Sequence, residues 1–291
     1  MKAFFLLIAA CAVCADEKYN EKLYSDWTQS FEISEMIHHE KSDYWDLSIF
    51  ENPTFGRILA IDGIIQTTEK DNAIYHEMMT HVPLLAHGKA KSVLIIGGGD
   101  GGALREVLRH PEVETVTMVE IDRRVMDLCK EFMPGLSNGA FEDAKAHIVI
   151  QDAAQYIQET TATFDVIICD SCDPVGPGKV LFSTEFYNHC KDHLNPGGIF
   201  VNQNGAPFTQ KEELKLTYDN RRPYFKHVSF YVAPVPTYIG GFMAFGWASD
   251  KNYRVSEKTL QERLAKVRGK MKYYTPAIHK AAFALPQYML D

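Results

Sequence analysis

Beyond its first fifteen residues the chain has no apolar run of the about 18 residues that a membrane-spanning helix needs. It also has no Lys/Arg-rich run, which removes the clustered cations that hold DNA or RNA phosphates. No internal repeat or low-complexity linker interrupts it. Cysteine is present at 11, 14, 129, 169, 172 and 190, but neither Cys-x-x-Cys pair has the second Cys or His pair of a structural zinc site, so no metal is expected. Cys169 and Cys172 read as reduced thiols flanking an acid. A net charge of −8 suits cationic small molecules better than anionic polymers.

The opening residues stand apart. Lys2, an apolar run from Ala3 to Ala15 and the charged start Asp16-Glu17-Lys18 follow the layout of a secretory signal. Ile8-Ala9-Ala10-Cys11 also resembles a lipoprotein processing site. Export or lipid anchoring is therefore one reading of residues 1–15; a mis-chosen start or an N-terminal apolar strand is the other, and a cytoplasmic protein is expected.

At 291 residues the chain can hold one large α/β domain and a smaller companion. Within a β domain over residues 16–70, the chain from about Trp27 to Thr68 alternates in the manner of antiparallel strands, 32–37, 45–50 and 57–61, with turn signals at Asn52-Pro53 and Asp62-Gly63. Asp71 to Leu85 has helical spacing, with Pro83 expected to interrupt it. From Ser92 a strand–turn–helix rhythm repeats, with strands at 93–96, 116–119, 148–150, 164–169 and 199–202. Strands at 228–232 and 242–247 close the sheet, and a last helix lies near 260–267. The fold class is α/β: a Rossmann-like, methyltransferase-type parallel sheet over residues 71–291, preceded by a small antiparallel β domain.

Gly97-Gly98-Gly99-Asp100-Gly101-Gly102 sits between the first strand of that rhythm and its helix, where nucleotides approach the backbone. Glu120, ending the next strand, is placed to accept from ribose hydroxyls, and Asp152, ending the third, from an adenine amino group. The fourth strand runs into Asp170-Ser171-Cys172-Asp173-Pro174. Two carboxylates three residues apart make an electronegative well, in which one can act as base while the other holds a cation. A sulfonium-dependent methyltransferase shares the sheet and glycine turn. The pair Asp170/Asp173, with Asp100 in the loop, favours instead an amine-bearing donor and a polyamine acceptor.

Taken together, the glycine loop, Val119-Glu120-Ile121-Asp122, Asp170 to Pro177, Pro236-Thr237-Tyr238 and Asp62-Gly63-Ile64-Ile65-Gln66 resemble the spermidine synthases. Tyr75 to Leu85, and Pro276 through Tyr288, resemble the bacterial branch. The resemblance implies aminopropyl transfer from decarboxylated S-adenosylmethionine, a co-substrate, to putrescine, with no metal or redox cofactor. It further implies a homodimer or homotetramer, and a loop after Asp173 that closes over substrates. By position, Asp170 matches the proton acceptor, Asp100 the contact to the aminopropyl amine, Glu120 that to the ribose, and Asp152 with Ala153 those to adenine. Pro177 would line the nucleoside pocket and His76 the donor–acceptor junction. Tyr75, Ser171, Cys172, Asp173 and Tyr238 would surround the diamine. Three positions depart from the pattern: Trp45 replaces a donor-contacting glutamine, Ala153 a glycine, and Lys179 a glutamate, the last expected to bring positive charge toward the site.

Overall fold

The computed structural model describes residues 17–172 and 176–290. The signal-like residues 1–15, Asp173 and the Pro177 side chain lie outside what is described. Strands β1 (Lys18–Asn20) and β2 (Ser30–Glu32) pair antiparallel. Strands β3 (Glu35–Lys41), β4 (Asp46–Asn52), β5 (Gly56–Ile61) and β6 (Ile64–Thr68) form a four-stranded antiparallel sheet in chain order. The expected strand over 32–37 is two, parted at Ile33-Ser34, where the amides turn to Glu17 and Glu51. The turn signals act as read: Asn52 Oδ1 accepts from Thr54 N and Phe55 N. Asp62 and Gly63 both take positive φ, 51° and 85°, as a two-residue hairpin turn demands.

Helix α1 (Asn72–His87) runs straight through Pro83, contrary to expectation. Proline removes one hydrogen bond, but the turn that follows buries Leu84, Leu85 and Ala86, and Gly88 closes the helix by donating to Leu84 O. Strands β7 (Ser92–Gly97), β8 (Thr115–Glu120), β9 (Ala146–Ile150), β10 (Phe164–Asp170), β11 (Leu194–Gln203), β12 (His227–Ala233) and β13 (Met243–Ser249) form one sheet, ordered β12-β13-β11-β10-β7-β8-β9. From β11 to β9 the pairing is parallel; β13 runs antiparallel to both β11 and β12. Helices α2 (Gly102–Leu108), α3 (Arg123–Phe132), α4 (Ala153–Glu159) and α5 (Thr184–Asp192) follow the strands as the rhythm predicts. Two further helices were not foreseen: α6 (Lys211–Arg221), which buries few residues, and α8 (Pro276–Ala282), which follows α7 (Glu257–Leu264), itself three residues earlier than expected.

β7 is the switch point, because the chain leaves it toward β8 on one side and returns to β10 on the other. The crevice at such a point, beyond the carboxyl ends of the strands, is where open α/β sheets bind ligands. The four-stranded sheet covers this crevice. Leu47, Ile49, Leu59 and Ile61 of β4 and β5 pack on Val125, Leu128 and Cys129 of α3.

Candidate active site

The ends of β7 and β10 are joined by the shape of the glycine turn. Gly98 N donates to Asp170 O at 2.9 Å, and a Cβ on Gly97 would lie 2.2 Å from that same oxygen. Gly97 also has φ +77°, so no side chain is tolerated there on two counts. The turn aims Asp100 inward. Its Oδ1 accepts from Gly102 N at 2.7 Å and its Oδ2 faces His76 Nε2 at 3.1 Å. His76 comes from the second turn of α1 and reaches Asp100 because Gly102 leaves room: a Cβ there would meet the ring at 2.2 Å. Burial alone would raise the Asp100 carboxyl, but His76 and the Gly102 N–H hold it below its ordinary value. Burial would likewise lower His76, and Asp100 holds it raised.

Asp170, ending β10, has a different environment. Its Oδ1 accepts from Tyr75 OH at 2.6 Å. Burial, with the charge of Asp100 adding to it, pushes its proton affinity up to about 6 against the opposing pull of His76 and Tyr75. Glu120 is buried too and rises to about 7, although Asp122 N donates to its Oε1 at 3.0 Å. Two acids of one cavity, Asp100 and Asp170, are thus pushed in opposite directions, which is how environment separates a charged anchor from a proton acceptor.

A cavity of about 420 Å³ opens over these groups. Trp45, Tyr75, His76, Asp100, Glu120, Asp152, Ala153, Asp170, Ser171, Cys172 and Tyr238 all line it, so every described side chain expected at the site is brought together. Asp152 also caps α4, its Oδ1 accepting from Ala154 N at 2.8 Å, which leaves its second oxygen for a ligand. Tyr238 donates to Gln66 O at 2.7 Å and meets Tyr75 edge-on at 5.8 Å. Trp45 is held by its turn: Ser42 Oγ accepts from Trp45 N at 2.9 Å and donates to Asp122 Oδ2 at 2.5 Å. Lys179 is exposed and does not line the cavity, so the positive charge expected there faces solvent instead.

Sequence reasoning missed part of the wall. Glu21 is buried, accepts from Ile65 N at 3.0 Å and reaches the cavity from the short N-terminal strand pair. Gln203 and Gln210 line the cavity near the end of β11. No local motif marks Glu21; Gln203, ending the apolar strand β11, carries the same strand-end signal as Glu120.

Known proteins with this geometry agree with one another. A profile described as the spermine/spermidine synthase domain matches residues 72–259, and one described as the spermidine synthase tetramerisation domain matches 18–69. A polyamine aminopropyltransferase of Klebsiella pneumoniae is 52% identical over 275 residues, covering 94% of this chain and 96% of its own. The polyamine aminopropyltransferase of Salmonella arizonae is equally similar, 52% over 275 residues, with the same shares of each chain covered. Among solved structures, a spermidine synthase in complex with the transition-state analogue AdoDATO superposes with a TM-score of 0.88 at 38% identity, over 94% of this chain and 93% of its own. The spermidine synthase from Thermotoga maritima gives 0.85 at 37% identity, over 94% and 92%. The chain belongs to the spermine/spermidine synthase family of aminopropyltransferases.

Proposed function

We propose that this enzyme transfers the aminopropyl group of decarboxylated S-adenosylmethionine to putrescine, giving spermidine and methylthioadenosine, with Asp170 as proton acceptor. The observation that carries this reading is the opposed pair in one cavity: Asp100 ionised beside His76, and Asp170 raised to about 6 beside Tyr75. Putrescine has ammonium groups with affinities like that of lysine, about 10.4, and nitrogen cannot attack while it holds its extra proton. Burial brings Asp170 closer to that value by roughly two powers of ten, which favours transfer to it.

The nitrogen lone pair then displaces sulfur at the terminal carbon of the aminopropyl chain. A carbon–nitrogen bond forms, the carbon–sulfur bond breaks, and its electron pair returns to sulfur, which leaves uncharged. Asp100 holds the donor's own amine and His76 stands between the two substrates. Glu120 accepts from the ribose, Asp152 with Ala153 contacts adenine, and Pro177 lines the nucleoside pocket. Tyr75, Tyr238, Ser171, Cys172 and Asp173 surround the diamine, whose far ammonium Glu21 is placed to receive. Proximity in a shared cavity aligns nitrogen with carbon. No step calls on a metal or redox group. Residues 16–70 act as a β domain and 71–291 as the catalytic domain of a cytoplasmic homodimer or homotetramer.

The test is methylthioadenosine release with a panel of donors and amines. Turnover with the decarboxylated donor and putrescine, and none with ordinary S-adenosylmethionine, is expected. Methyl transfer from the ordinary donor, or polyamine binding without turnover, would overturn the reading.

A further inference from the structure

Asp71 occupies the N-cap of α1, yet its carboxylate makes no capping hydrogen bond. An acid at that place ordinarily accepts from an amide two or three residues on. The Asp71 side chain instead reaches 166 residues along the chain: its Oδ2 accepts from Thr237 N at 3.0 Å and from Thr237 Oγ1 at 2.5 Å. Its Oδ1 accepts from Thr68 Oγ1 at 2.7 Å, and the whole cluster is buried. The remaining polar group of Thr237, its carbonyl, accepts from Gln29 Nε2 at 2.6 Å. A helix that gives up its own cap for a remote contact breaks a local rule, and such breaks concentrate at functional sites.

The residue held in this way precedes Tyr238, which lines the cavity against Tyr75. The turn that carries Tyr238 continues into Gly240 and Gly241, both at positive φ, 82° and 64°. Its internal bonds, Val235 N to Gly241 O and Gly241 N to Tyr238 O, fix its shape, while its position over the crevice rests on the Thr237 contacts and on Tyr238 OH donating to Gln66 O. Tyr75 in turn bonds Asp170. A displacement of the turn therefore reaches the acceptor end of the cavity while leaving Glu120 and Asp152, on the other side of β7, untouched.

We propose that Asp71 is a positioning residue that sets the acceptor end of the cavity, fixing Tyr238 through Thr237, alongside Gln29 on the Thr237 carbonyl and Gln66 on the Tyr238 hydroxyl. The inference rests on the aminopropyl-transfer reading above. It is tested on the full chain by varying putrescine and the decarboxylated donor separately, alongside cadaverine as a longer diamine. Asp71→Ala is expected to raise the KM for putrescine by about 10-fold or more and to weaken discrimination against cadaverine, because a buried donor pair loses its acceptor. The donor KM and inhibition by methylthioadenosine stay unchanged. Asp71→Asn, which still offers an oxygen to Thr237, stays near wild type; Thr237→Val reproduces the defect and Thr237→Ser restores function. Should Asp71→Ala not fold, Thr237→Val, which loses only the hydroxyl's hydrogen bond and keeps the backbone N–H donating to Asp71 Oδ2, carries the test. An unchanged putrescine KM in a folded variant, or donor and acceptor KM rising together, would overturn the proposal. If the wild type itself releases no methylthioadenosine with putrescine, the activity reading fails, and this inference with it.

Discussion

Asp170 is stored in a state that folding alone does not favour. Its ordinary value of 3.8 is raised to about 6 by burial, so between those values the folded chain keeps a proton that the unfolded chain has lost. Stability therefore falls as pH rises from about 3.8 to about 6, and the cost persists above that window. Asp170→Asn removes the buried charge and keeps an acceptor for Tyr75. It is expected to melt above wild type at about pH 7.5, with the difference vanishing toward about pH 4. Thermal melts at both pH values check this, and an equal difference at both would contradict it. The same titration shapes activity in the opposite sense. Below about 6 Asp170 already carries its proton, and kcat/KM is expected to drop on the acid side.

At the scale of elements, the glycine turn does two separate jobs. Gly97 lets β7 approach the backbone of β10, and Gly102 lets α2 start beneath the His76 ring. Gly102→Ala would drive that buried ring away from Asp100. Soluble protein with kcat/KM reduced by about 100-fold is expected, measured beside methylthioadenosine binding to separate lost alignment from lost folding. These features were legible in the sequence because each is local: glycines directly after an apolar strand, and an acid at each strand end. Asp62-Gly63 was legible for the same reason. What was not legible depends on distant partners. Glu21 gains its place only when β1 and β2 meet the hairpin of β5 and β6. Pro83 looked like a helix end because the packing that carries α1 past it lies elsewhere in the chain. α6 showed little amphipathic signal, as it buries only Leu214, Thr217 and Arg221.

Across the whole molecule, the cavity exists because two units meet. The N-terminal sheet is fastened to α3 by Arg124, whose guanidinium donates to both Glu40 oxygens at 2.7 and 2.8 Å, by Ser42 on Asp122, and by Arg57 on the Phe132 carbonyl. The Ser42 turn places Trp45 in the cavity wall, and through Asp122 it leads to Glu120. The shape of the cavity at Trp45 and Glu120 is thus coupled to how the small sheet sits. The same sheet lies within residues 18–69, the stretch that matches the spermidine synthase tetramerisation domain. Native mass spectrometry is expected to show two or four chains, and a monomer at working concentration would contradict that expectation. Among the described residues no helix is long and apolar enough to cross a membrane.

The most direct test of the central claim compares wild type and Asp170→Asn in methylthioadenosine release at saturating decarboxylated S-adenosylmethionine and putrescine, with methylthioadenosine affinity measured on both. The account predicts a kcat lower by about 10²- to 10⁴-fold in the variant with affinity retained. A variant that turns over at the wild-type rate would show that Asp170 is not the proton acceptor.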